Sequence, residues 1–246
     1  MSAVLAPSAR AGDLTAKALA AAPALPARSA CPMPDGAVVT RLAGWAVAFD
    51  TKLCTLADDL DPSWREPLLA SWAFLEAMPA ERAQALWPRL WRDRLAQAGH
   101  WPALSAFEQP LARLCLLPRG EVLQRLCALA LACRPGVLRC CIDRSVRGPL
   151  QRALGDWFAV LAAFSPQGRP VDALQAGWSP VQWACVGFMD WQAALPAQGR
   201  LTSSLVRWSL PRSLLDPLIE AGPVPVQRPV DAAVAALAEA GWTWPC

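Results

Sequence analysis

One histidine, His100, and nine cysteines are the residues of this 246-residue chain most readily turned to chemistry. A nucleophile-base triad, a zinc hydrolase site and an imidazole proton shuttle all need a positioned imidazole. His100 stands in Gly99-His100-Trp101, where a helix is expected to end, and a capping or surface role suits it better than catalysis. The cysteines could serve as thiolate nucleophiles or metal ligands, but no two stand at Cys-x-x-Cys spacing, so neither a zinc ribbon nor a dithiol motif is expected. Cys127, Cys133 and Cys141 fall on the inward arcs of helical patterns and read as buried reduced thiols. Asp58, Asp59 and Asp61 cluster directly before Pro62, a setting that fits helix capping better than cation chelation. Glu76, Glu81 and Glu108 lie near expected helix ends or loops, and nothing pairs them. The phosphate-cradling patterns G-x-x-x-x-G-K-[ST] and G-x-G-x-x-G and the G-x-S-x-G elbow do not occur. The expectation is a chain with no catalytic residue, no cofactor and no metal.

Arginine and tryptophan offer binding instead. Arg139, Asp143 and Arg147 recur at i, i+4 and i+8, so on one helix they form a plus-minus-plus ridge, with Arg144 beside it and Leu138, Cys141, Ile142 and Val146 inward. Guanidinium forks grip carboxylates bidentately, and Asp143 would hold Arg139 and Arg147 in place, so this face is expected to dock an acidic partner. The plainer alternative is a solvated face with ordinary i,i+4 pairs. Among the thirteen tryptophans, Trp72, Trp87 and Trp157 lie on helical stripes and read as core. Trp64, near a helix start, reads as a core plug or a partner anchor, and Trp242 and Trp244 as a recognition tip.

The elements that position these residues follow from periodicity and punctuation. Leu42, Trp45, Phe49 and Leu53 mark a first helix; Asp61 with Pro62 caps a second, striped by Trp64, Leu68, Trp72 and Leu75. A third run from Ala80 to Gly99 is expected to kink or divide at Pro88. From Glu121 to Cys133 a mostly buried helix is expected, with Glu121, Gln124, Arg125, Ala128 and Ala132 on its outer arc. Arg134-Pro135-Gly136 breaks it before the arginine ridge. Leu150, Leu154, Trp157 and Leu161 continue an apolar face as far as the loop Ser165–Pro170. Beyond it, Trp183, Gly187, Trp191 and Leu195 align at helical spacing, while Leu201 to Leu210 partly alternates and leaves room for a strand. A short helix around Leu214 to Ile219 ends near Gly222, and a last one, capped by Asp231, stops at Gly241.

Leu117-Pro118, a Leu-rich helix, Leu138-Arg139, Ile142-Asp143-Arg144, and then Arg147 to Gly155 follow an order that resembles the SctK (YscK-like) proteins of bacterial type III secretion. Pro62-Ser63-Trp64, followed by Leu68 and Leu69, is similar to a Pro-Ser-Trp-Leu turn of that family, with Arg65-Glu66-Pro67 intervening. The long Ala/Pro-rich N-terminus and the Cys/Trp-rich C-terminal part depart from it. The resemblance implies a non-enzymatic adaptor joining the cytoplasmic sorting platform, built on an SctQ-type protein, to the cytoplasmic domain of the SctD-type inner-membrane ring protein. It implies a location at the cytoplasmic face of the bacterial inner membrane. Trp64, Arg139, Asp143, Arg144 and Arg147 are the expected partner-binding residues, on a monomer within a larger assembly.

Composition bounds the rest. An apolar share of 54% can fill a sizeable core, and a net charge of +3, carried almost wholly by arginine over lysine, does not mark a polyanion binder. The longest apolar runs fall far short of the roughly twenty residues that span a bilayer, so no direct membrane insertion is expected. The fold class expected is mainly α, an irregular multi-helix globular domain with a few short strands allowed in its C-terminal part. Residues 1–36 read as a disordered Ala/Pro-rich lead in which Lys17 and Ala18 to Leu25 loosely imitate a signal peptide, 37–165 as a helical core domain, and 166–246 as a Trp-rich helical or mixed region packed on it. A DNA-binding regulator using Arg134 to Arg152 is the alternative, disfavoured because Pro149 cuts the basic segment short and base-reading Asn and Lys are absent from it. A thiol enzyme is the third possibility.

Overall fold

Asp61 sets the pattern for how this chain begins its helices: its carboxylate accepts from the Ser63 N–H at 3.0 Å while Pro62 occupies the first helical position. In the computed structural model, which describes residues 36–99, 101–195 and 202–243, helix α1 (Gly36–Asp59) leads into α2 (Pro62–Leu69). A 3-10 stretch, Ala70–Ala77, follows, with a break at Trp72 (φ −118°, ψ 18°). Helix α3 (Ala80–Gln97) carries Pro88 inside one continuous helix, so the expected division there is not seen. Two 3-10 turns, Leu104–Glu108 and Pro110–Leu116, lead to α4 (Arg119–Cys133). Then come α5 (Val137–Cys140), α6 (Arg144–Leu154), α7 (Trp157–Phe164), α8 (Ala173–Ala176), α9 (Pro180–Ala194), α10 (Ser203–Arg207), α11 (Arg212–Ala221) and α12 (Val230–Glu239). The fold is all-α, with no strand among the described residues.

The allowance for a strand between Leu201 and Leu210 is corrected by α10, whose Leu205 and Val206 both turn into the core. A short apolar run is consistent with either element, and burial decided for helix. Asp231 is also corrected: Pro229 is the N-cap of α12, and Asp231 sits in the first turn, where the helix dipole favours a carboxylate. Gly99, Gly222 and Gly241 end their helices at φ values of 68°, 86° and 93°, as their positions after the last apolar stripe predict.

The chain divides into two units, Met1–Gly36 and Ala37–Cys246, and everything from α1 onward belongs to the second save Gly36 itself. Its centre is α4 against α9, although α9 lies beyond the Ser165–Pro170 loop. Every residue of α4 from Leu126 to Cys133 is buried, including Ala128 and Ala132, which the polar-arc reading placed outside. The reason is that α12, α7 and α6 cover the flanks α9 leaves open, so the second half of α4 is enclosed on all sides. On α9, Trp183, Gly187 and Trp191 form the inward seam. A Cβ at Gly187 would lie 2.6 Å from the Leu126 carbonyl carbon, so the two backbones touch.

Tryptophans fill the second layer. Trp91 is fully buried, and Trp72 meets it edge-on at 4.7 Å, with Trp87 and Trp208 completing the cluster. Trp72, Trp87 and Trp157 are half-buried and pack against the core. Trp242 is only 3% exposed and lies 4.7 Å from Trp157 with the Arg125 guanidinium over its ring, so it is core and not a recognition tip. The N-terminal lead, its signal-like stretch, His100 and Trp244 lie outside the described residues.

Candidate functional site

Leu117-Pro118-Arg119, where the first motif begins, is held by charges from far away in sequence. Lys52, 4% exposed, donates from Nζ to the Asp59 carboxylate at 2.5 Å and to the Leu117 carbonyl at 2.6 Å. Asp59 also accepts from the Arg119 backbone N–H at 2.8 Å. The Arg119 guanidinium donates to Asp61 at 2.5 Å and to the Ser209 carbonyl at 3.0 Å. Two of the three clustered aspartates are thus committed to a lysine, an arginine and helix caps, as capping rather than chelation requires. Among the described residues no group of three His, Cys, Asp or Glu side chains could hold a metal ion.

The second motif joins the same network. Ser63 donates its hydroxyl to Asp61 at 2.6 Å and accepts from the Arg212 N–H at 3.0 Å. Trp64 donates its indole N–H to the Leu210 carbonyl at 2.9 Å, and Arg207 and Arg212, both bonded to Asp216, lie 5.4 and 5.5 Å from its ring centroid. Trp64 therefore anchors α2 to the chain around α10 and α11, and its polar tip is already used. Asp61→Ala is expected to lower stability by about 2–4 kcal/mol, because an N-cap and a charge-assisted bond in a nearly dry setting are lost together. Urea unfolding measures it, and a loss below about 1 kcal/mol would mean that the Asp61–Arg119 joint holds little.

Arg134 breaks α4 in an unexpected way. It is 1% exposed and forms a bidentate pair with Asp190 of α9, at 2.6 and 3.0 Å. The same two terminal nitrogens also donate to the Ala130 carbonyl at 3.2 Å and the Val224 carbonyl at 2.7 Å, while the buried Nε has no partner among the described residues. Gln227 and Arg228 donate backbone N–H groups to Cys133, and the Gln227 side chain bridges Gly136 and Arg169. The Pro-rich 223–229 segment thus straps down the loop that introduces the arginine face.

That face differs from the expected ridge. Helix α5 ends at Cys140, Cys141 turns out of helix at ψ 73°, and Asp143 is the N-cap of α6, accepting from the Ser145 N–H at 2.8 Å. Those hydrogen bonds from Ser145 hold the Asp143 carboxyl below its ordinary value. Arg139 on α5 and Arg144 and Arg147 on α6 are all exposed, as expected, but they belong to two helices and not to one ridge. Among the described residues Asp143 makes no ion pair, so it does not hold Arg139 and Arg147; Arg147 instead lies 5.3 Å from the Phe158 ring centroid. The i+4 spacing misled because a helix interrupted by three residues, Cys141 to Asp143, keeps the same numbers, and the signal that could have exposed the break is Asp143 standing as a cap two residues before Ser145. Cys141 is buried and its thiol meets the Ala176 carbonyl at 3.0 Å, whereas Ile142, expected inward, is 84% exposed.

Thiol chemistry gains no support from the core. Burial pushes the Cys115, Cys133 and Cys185 thiols up to about 12 and raises Cys127 further, away from the thiolate a nucleophile needs. No described helix is long and apolar enough to cross a membrane.

The family whose model matches this chain is described as bacterial type III secretion protein (HrpB4), and the match runs over residues 36–243. Searches of curated proteins and of solved structures found no match. Because that match takes in both networked motifs and every helix described, the chain belongs to this type III secretion family, which is the SctK-like family.

Proposed function

We propose that the chain is a non-enzymatic adaptor of the type III secretion sorting platform. It links an SctQ-type platform protein to the cytoplasmic domain of an SctD-type inner-membrane ring protein, at the cytoplasmic face of that membrane. Family membership supports the secretion role. The observation that carries the adaptor reading is where large apolar side chains are left in water. Val39, Val47, Trp101 and Leu104 are exposed around α1 and the turn that follows α3, and Ile142 and Leu174 around α5 and α8, on a body whose core is otherwise well filled. Phe74, Ile219 and Val226 are exposed as well, so apolar side chains stand open at several places on the described surface, as suits a protein that engages more than one other. The ionisable groups support the same reading: Lys52, Asp59, Asp61, Arg119, Arg134 and Asp190 are bonded to one another as structural joints.

Co-purification tests it. The full chain, mixed with its cognate SctQ-type protein and the SctD-type cytoplasmic domain, is expected to elute with both in one complex that persists at high salt. Failure to bind either would end the adaptor reading, and a salt-sensitive shift of duplex DNA in its place would favour the regulator.

A further inference from the structure

Ile142 and Leu174 are 84% and 80% exposed, the two most exposed of the large apolar side chains left in water. The segments that carry them meet: α5 packs on α8, and the Cys141 thiol, next to Ile142, donates to the carbonyl of Ala176, two residues after Leu174. Neither is loosely held. Ile142 follows a buried Cys141 whose backbone turns it outward, and the Leu174 N–H donates to its cap Asp172 at 2.8 Å. Exposed Arg139, Arg144 and Arg147 occupy the same α5–α6 stretch. The two carboxylates nearby, Asp143 and Asp172, each spend an oxygen on a backbone N–H.

We propose that Ile142 and Leu174, rimmed by Arg139, Arg144 and Arg147, form one docking surface for a folded protein whose contact face is an apolar hollow edged by carboxylates. This rests on the adaptor reading and assigns it one of its two contacts. Exposed aliphatic side chains with arginines on the adjoining stretch match the usual anatomy of a protein interface, an apolar centre with a polar rim in which Arg is favoured. The cationic rim selects an acidic edge, and guanidinium forks can pair with carboxylates there. Nucleic acid offers phosphates and no hollow for the two knobs. A lipid surface calls for a continuous amphipathic helix, whereas these side chains stand on a helix break and a four-residue helix.

The test uses the full chain and two purified probes, the cognate SctQ-type protein and the SctD-type cytoplasmic domain. Ile142→Asp combined with Leu174→Asp is expected to weaken binding to one probe by about 30-fold or more and leave the other within about threefold. Because both side chains are exposed, the thermal midpoint should stay that of the unaltered chain. A second variant, Arg139→Glu with Arg144→Glu and Arg147→Glu, should weaken the same probe and slow its association. If the unaltered chain binds and the aspartate variant binds both probes equally well, this surface is overturned while the adaptor reading stands. If the unaltered chain binds neither probe, the adaptor reading falls first. Binding of duplex DNA or of anionic vesicles that is lost in the same variants would overturn the protein-docking assignment.

Discussion

Gly187→Ala is expected to lower the stability of the chain by about 3 kcal/mol or more, a large share of the 5–15 kcal/mol that holds a typical domain folded. Two effects compete. Alanine is the better helix former by about 1 kcal/mol, which favours the variant. Against that, the new Cβ would lie 2.6 Å from the Leu126 carbonyl carbon and 3.1 Å from its Cα. Those are backbone atoms in the middle of α4, and no rotamer change can move them aside. Helices α4 and α9 must separate, and the gap would run along a seam of residues from Leu126 to Cys133 that are buried throughout. The strain therefore wins. Gly44→Ala supplies the contrast, since Gly44 lies inside α1 with no atom within 4 Å of its added Cβ, and should gain about 1 kcal/mol. Urea unfolding of both variants measures the pair. A Gly187→Ala chain as stable as the unaltered one would mean that α4 and α9 do not approach through their backbones.

That contact also marks what a reader of the sequence can see. Trp183, Gly187, Trp191 and Leu195 align at helical spacing, and all four are buried on or just beyond α9. Asp61-Pro62 announces α2, and the glycines that end α3, α11 and α12 stand where the apolar stripes stop. These features are legible because their cause lies within a turn or two of the residue concerned. What escapes is set by distance along the chain. Lys52 is buried because Asp59 and the Leu117 carbonyl, the latter 65 positions away, receive its ammonium group. That the Trp64 indole N–H donates to the Leu210 carbonyl, 146 positions on, is equally beyond reach of the local pattern. Arg139, Asp143 and Arg147 keep helical spacing across a break that is evident only once Cys141 is seen turned toward Ala176. The resemblance located the right segments, Pro62-Ser63-Trp64 and the stretch from Leu117 to Gly155. It could not say that Asp61 and Arg119 join them.

The buried arginine makes the sharpest case, and its removal should be felt nearly as strongly as the glycine contact. Asp190→Ala is expected to cost about 3–5 kcal/mol, because it strands the Arg134 guanidinium at 1% exposure without its carboxylate. The size of that loss is not the worth of the pair. Two charges taken out of water forfeit hydration that their attraction only partly restores, so a buried pair adds little over a well-packed apolar substitute. The double variant Arg134→Met with Asp190→Leu should therefore recover most of what either single variant loses. Recovery will stop short of complete, since Arg134 also donates to the Val224 carbonyl and helps strap the 223–229 segment over Cys133 and Gly136. Denaturant unfolding of Arg134→Met, of Asp190→Leu and of the double gives the coupling directly. Losses that simply add would show that Arg134 and Asp190 do not act together.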